Sequence, residues 1–173
     1  MGILSITKNS KMNSLLKKIK SSDKSKRLRI SDLDKDSVVL TVDQIGITPY
    51  GEGVAILKTQ EGIKFPIFSF SADTAKLISN FKEGHLDVIP SMYNMLENIC
   101  ENLGVILVKV RIYENGKALR ANLYFSGKKD VILRNYKASD ALALAVLYSV
   151  PILVKKDLLK QSLKIDSKNA KTT

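Results

Sequence analysis

The sequence predicts an α+β fold, a mainly antiparallel sheet packed with helices in a single domain, and three observations point to it. Short stretches that alternate apolar with polar residues fill Val38 to Phe70 and again Val108 to Arg134. Two amphipathic helical stretches, around Ala72 and Ser91, separate them. Beyond them, Ala141 to Tyr148 has no polar atom except a tyrosine hydroxyl, so a helix there is apolar on every side and must be buried.

Taken in order, Val38, Leu40, Val42 and Ile45 to Ile47 suit a first strand, Tyr50-Gly51-Glu52-Gly53 a turn and Val54 to Thr59 a second strand. Gln60-Glu61-Gly62 turns again into Ile63 to Phe70, where Pro66 cannot donate to a ladder and asks for an edge or bulged position. Ser71 suits the cap of a helix from Ala72 to Phe81, with Asp73 in its first turn. After Pro90, Ser91 to Leu103 forms a second helix in which Met92, Met95, Leu96, Ile99 and Leu103 share a face beside Cys100.

Val108, Val110 and Ile112 point one way, and Leu119, Ala121, Leu123 and Phe125 continue the alternation past Asn115-Gly116, a strong hairpin signal. A two-residue turn there pairs Glu114 with Lys117 and sets Arg111 opposite Arg120 on the outer face. A three-residue loop near Ser126-Gly127-Lys128 then sets Arg134 opposite Arg120. The expected result is a row of Arg111, Arg120 and Arg134, with Lys109, Tyr113, Asn122 and Tyr124 around it. Like charges directly opposite are destabilising unless an anion, an acidic neighbour or a partner relieves them. Finally, Ser139 and Asp140 suit the opening of the buried helix and Pro151 its end.

The formal charge is +11, and it sits at the ends. Residues 1–36 hold ten Lys/Arg against four Asp/Glu and Lys155 to Thr173 six against two, which leaves Ser37 to Val154 almost balanced. Residues 1–36 are expected to be a flexible basic arm, 37–161 the folded domain and 162–173 a basic tail. In the arm only Leu15, Leu16 and Ile19 among lysines hint at a helix, too short to stand alone. Such tails attract polyanions without sequence preference, or simply keep the chain soluble. Cys100 is the one cysteine and His85 the one histidine, which excludes an intramolecular disulfide and a Cys/His zinc cluster and fits a reducing, cytoplasmic location. No stretch is long and apolar enough for a signal peptide or a membrane span.

Lys137-Ala138-Ser139-Asp140-Ala141-Leu142-Ala143-Leu144-Ala145, followed by Pro151-Ile152-Leu153-Val154, resembles the signature of the bifunctional nuclease domain family, Arg-Pro-Ser-Asp-Ala at the head of an Ala/Leu-rich helix. Phe65-Pro66-Ile67-Phe68 is similar to that family's Pro-Ile-aromatic strand, and Pro90 to Gly104 to its second helix. Together the resemblance spans Val38 to Leu159. It implies a nuclease that acts on RNA or DNA phosphodiesters, uses Mg²⁺ or Mn²⁺ and forms a homodimer. Where the family has Thr-His-Asp this chain has Met92, Tyr93 and Asn94; where it has an Asp before its signature arginine stands Asn135, and the arginine and proline are Lys137 and Ala138.

On that resemblance Asp140, Ser139 and Asp73 are the candidate catalytic residues, with Asp140 the metal ligand. Arg111, Arg120, Arg134, Lys137, Tyr93, Asn94 and Asn135 are candidates for holding phosphate and base. Arg120, Arg134 and Lys137 are expected around the start of the buried helix, whose free N–H groups attract anions. The alternative is a module that binds nucleic acid or dimerises without catalysis.

Overall fold

A computed structural model describes residues 35–85 and 89–160. The expected flexible arm with its short Leu15, Leu16 and Ile19 helix, and the expected basic tail, therefore lie outside the described residues, apart from Lys35 and Asp36. Strands β1 (Ser37–Ile47), β2 (Glu52–Lys58) and β3 (Lys64–Ser71) form the expected meander. Helices α1 (Ala72–Glu83) and α2 (Met92–Asn102) follow, then β4 (Ile106–Asn115), β5 (Ala118–Ser126), β6 (Val131–Lys137), α3 (Ala138–Tyr148) and β7 (Ile152–Lys155). Residues 156–160 are again helical.

All seven strands join one curled sheet in the order β3-β2-β1-β7-β4-β5-β6. Every pairing is antiparallel except β4 with β7. The late strand β7 thus stitches the first meander to the second. Pro66 lies on β3, at the sheet's edge, where its missing N–H costs no ladder bond.

The core is built around α3. Ala141, Leu142 and Ala143 are completely buried, and Val110, Ile112, Ala121 and Val154 meet them from the sheet. Burying one leucine of this kind contributes about 1.5–3 kcal/mol. The helix stops because Ser149 turns left-handed at φ 54°, and its N–H closes back on the carbonyls of Ala145 and Val146. Its start differs from the sequence reading. The helix begins at Ala138, so Lys137 is the cap residue, and it makes no side-chain capping bond. Ser139 and Asp140 are the second and third helical residues.

Helix α2 presents a different side than its apolar stripe suggests. Cys100 is buried and Tyr93 and Leu96 pack against the core, whereas Met92, Met95, Ile99 and Leu103 are exposed. The contact side is about one residue, or 100°, round the helix from the stripe.

The second hairpin keeps the expected parity and changes its partners. The loop is Gly116-Lys117, not Asn115-Gly116, so Asn115 pairs with Ala118 and Ile112 with Ala121. Gly116 takes a positive φ of 66° and Lys117 does not, the pattern of a turn that needs glycine only at its first central position. A slip of two residues leaves Val110, Ile112, Ala121 and Leu123 on the core face, but a bulge between Leu107 and Lys109 takes Val108, expected inward, out of the core and buries Leu107 instead. The slip replaces the outer pairs: Arg111 lies opposite Asn122, and Arg120 opposite Tyr113.

Candidate functional site

A cleft of about 550 Å³ opens where the curled sheet brings the start of β5 and the end of β6 round towards edge strand β3. Arg120 and Lys137 stand on one wall with Ser139 and Asp140 at the start of α3. Phe68, Ser69 and Phe70 of β3 and the first turn of α1, Ser71 and Thr74, make the other. Lys117 from the hairpin loop lies at the rim.

Strand register sets the charge on the first wall. Lys137 is directly opposite Arg120 across β5 and β6, two like charges that destabilise each other. Neither has a carboxylate partner among the described residues. They flank the start of α3, whose first N–H groups have no side-chain cap and carry the positive end of the helix dipole. Ser139, only 9% exposed, lines the same cleft, and its hydroxyl has no hydrogen-bond partner among the described residues. By contrast α1 is closed by Ser71, whose hydroxyl accepts from the Thr74 N–H at 3.1 Å.

The opposite wall is shaped by a bulge. Ile67 pairs with Ala55 and Phe70 with Gly53, so Phe68 and Ser69 together face the single residue Val54. Ser69 absorbs the extra residue at φ 57°, a conformation that costs a non-glycine residue about 1–3 kcal/mol. Its hydroxyl donates to Glu52 Oε2 at 3.0 Å. Phe70 folds over Gly53 so closely that a Cβ there would sit 2.6 Å from its ring. Phe68 is left 61% exposed on the cleft wall.

Asp140 is held from the side. Tyr93, at the start of α2, donates its hydroxyl to Asp140 Oδ1 at 2.8 Å, and its ring meets Phe81 edge-on at 6.4 Å. Burial, the bond to Asp140 and that carboxylate's charge together push the Tyr93 phenol up to about 12, with the Thr74 hydroxyl working against them. Tyr93 therefore stays protonated at neutral pH and acts as a donor that orients Asp140.

Five other expected residues lie outside the cleft lining. The arginine row does not form. Arg111 Nη2 donates to both carboxylate oxygens of Asp36 at 2.8 Å and its Nε to Ser37 Oγ at 3.1 Å, so an acidic neighbour relieves its charge. Arg134 is exposed on β6 and is not part of the cleft lining: Phe125 pairs with Val131 across a five-residue loop instead of the three expected, which carries Arg134 past Arg120 to the level of Asn122, and a further one-residue shift between Ala121 and Leu123 sets Lys137 opposite Arg120. At that shift Asn135 turns to φ 65°, its N–H donates to Asn122 Oδ1 at 3.2 Å, and its own Oδ1 accepts from Asn115. Asn94 completes a capping box with Ser91. Asp73 is exposed in the first turn of α1 and lies outside the cleft lining. On the outer sheet face Lys109 Nζ lies 4.7 Å over the Tyr124 ring, and both residues are buried.

Among the described residues no group of three or more His, Cys, Asp or Glu side chains comes together. Asp140 is the sole carboxylate among the cleft-lining residues, and one of its oxygens already accepts from Tyr93. This set does not fit a resident divalent cation. It fits at most an ion shared with a bound phosphate, since Mg²⁺ is commonly held by one or two carboxylates together with substrate oxygens.

Sequence reasoning missed Phe68, Thr74 and Lys117 as cleft residues. The Pro66-Ile67-Phe68 run was legible as a strand, but the bulge that turns Phe68 to the cleft has no signal in the residue types.

The site is an open, cationic cleft at a helix start on a curled α+β sheet. The family model described as the bifunctional nuclease domain matches residues 55–166, and the chain belongs to that family. The match takes in both cleft walls and helices α1, α2 and α3. Among curated proteins none matches the chain. Among the described residues no helix is long and apolar enough to cross a membrane.

Proposed function

We propose that the cleft binds the phosphates of RNA or DNA. One observation carries the reading: Arg120 and Lys137, two cations without carboxylate partners among the described residues, face each other directly across β5 and β6 at the uncapped start of α3. A phosphate between them would relieve their repulsion and accept from the first N–H groups of the helix and from the Ser139 hydroxyl. Membership of the bifunctional nuclease domain family supports a nucleic-acid ligand over a small anion.

Hydrolysis of the bound phosphodiester is a second reading, favoured by Asp140 in the same cleft. In it Asp140 and the phosphate oxygens would share a Mg²⁺ or Mn²⁺ ion that stabilises charge on the leaving oxygen. This chain's own part is to hold the phosphate with Arg120 and Lys137 and to fix Asp140 through Tyr93. The exposed stripe of Met92, Met95, Ile99 and Leu103 supports a homodimer, since a partner would cover it. The single, free and buried Cys100 suits a cytoplasmic setting.

The test is a binding and cleavage assay on labelled RNA and DNA with Mg²⁺, Mn²⁺ or EDTA, using the full chain and Asp140→Asn. The nuclease reading requires cleavage that EDTA and Asp140→Asn both abolish. Binding without cleavage in every condition leaves the non-catalytic module. No binding by the unaltered chain refutes both.

A further inference from the structure

Phe68 is the large apolar side chain that the cleft leaves open. Its neighbours on β3 alternate as a half-buried strand should, with Phe65 and Ile67 inside, and Phe70 is tucked over Gly53. The bulge at Phe68 and Ser69 interrupts that order, holds Ser69 in a strained conformation and leaves the Phe68 ring on the wall across from Arg120 and Lys137. Bulges beside binding sites commonly serve to re-aim a side chain, and backbone strain gathers where a ligand is held. An exposed phenylalanine in the same open cleft as paired cations matches the two needs of an unpaired nucleotide, an aromatic face for its base and positive charge for its phosphate.

We propose that Phe68 is a stacking platform for an unpaired base whose phosphate rests at Arg120 and Lys137, so that the cleft takes single-stranded nucleic acid in preference to duplex. The inference rests on the phosphate reading above and adds to it the strandedness of the ligand. A duplex hides its base faces inside the helix and offers the wall only its backbone, so it can use the cations but not the ring. A single strand uses both. Phenylalanine has no hydrogen-bonding group, so the contact is indifferent to which base is stacked.

The experiment measures binding of a labelled single-stranded oligothymidylate and of a labelled, fully paired two-strand duplex by fluorescence anisotropy, over a range of salt concentrations. The full chain is compared with Phe68→Ala, Phe68→Tyr and Arg120→Gln. Because the ring is mostly exposed, Phe68→Ala should fold, and circular dichroism checks that it does. The expected result is about 5- to 100-fold weaker binding of the single strand by Phe68→Ala, with duplex binding and salt slope unchanged and affinity restored in Phe68→Tyr. Equal losses on both ligands, or no loss on either, overturn the stacking role. So does a loss of self-association in Phe68→Ala with unchanged affinity for the oligonucleotide, which would make Phe68 an interface residue. Arg120→Gln separates the two levels of the argument. If it weakens both ligands while Phe68→Ala weakens neither, the phosphate site stands and the platform falls; if Arg120→Gln changes nothing, the phosphate site itself is refuted.

Discussion

Replacing Arg120 or Lys137 with Gln should move stability and binding in opposite directions. The two residues are cross-strand partners with no carboxylate to neutralise them among the described residues, so the free protein carries their repulsion. Directly opposed like charges cost about 0.2–1 kcal/mol, and removing either one should raise the folding stability by that amount. Each neutral variant also loses one phosphate contact. For a single strand the logarithm of affinity falls with the logarithm of salt at about 0.7 per contact, so the slope should flatten by that much. At fourfold lower salt, one missing contact then corresponds to about two- to threefold in affinity, beyond any loss of direct bonding. Chemical denaturation measures the first effect and anisotropy titrations at several salt concentrations the second. In the double variant the stability gain should not double, since the repulsion is already gone after the first change. A variant that is both destabilised and unchanged in salt slope would mean that these cations serve the fold, and the reasoning would fail.

Two further outcomes follow from the core and from the support of Asp140. Leu142→Ala removes a completely buried side chain at the centre of α3 and should cost about 2–5 kcal/mol by denaturant unfolding, with a value under 1 kcal/mol showing that the site is not packed as described. In ultraviolet titration one tyrosine should ionise near pH 12 and vanish in Tyr93→Phe, while in Asp140→Asn its midpoint should fall. The sign is that of a raised pKa: the bond's contribution to stability is complete below about pH 10, the unfolded value, and is lost as pH rises towards 12.

What was legible in the sequence follows from the physics of each signal. The α+β class and the buried helix could be read because alternation of period two and an all-apolar stretch each leave one arrangement that hides them from water. Hairpin register was only half legible. Parity followed from the alternation, but the absolute register depended on whether Gly116 is the first or second loop residue, and both choices bury the same side chains. Parity protects the core and not the surface, so the slip separated Arg111 from Arg120 and left Val110, Ile112, Ala121 and Leu123 inside. Arg120, Lys137, Ser139 and Asp140 were readable as one neighbourhood because a strand running straight into a helix keeps its last residues at the helix start. Arg134 was misplaced because five residues, not three, separate Phe125 from its partner Val131; Lys137 reaches Arg120 through the shift at Asn135, and Phe68 was passed over because of the bulge at Ser69. Both positions bend through non-glycine residues at positive φ, which residue type alone does not announce. The salt bridge from Arg111 to Asp36 was also hidden, since it joins residues 75 apart in the chain.

The most direct test of the central claim is to map backbone amide shifts by NMR while the full chain is titrated with an unlabelled oligothymidylate. A phosphate at the head of α3 predicts the largest shifts at Lys137 to Ala141, with accompanying changes at Lys117 to Arg120 and at Ile67 to Phe70. Shifts of comparable size confined to α2, to β1 or to residues outside the cleft, with the start of α3 unmoved, would contradict it.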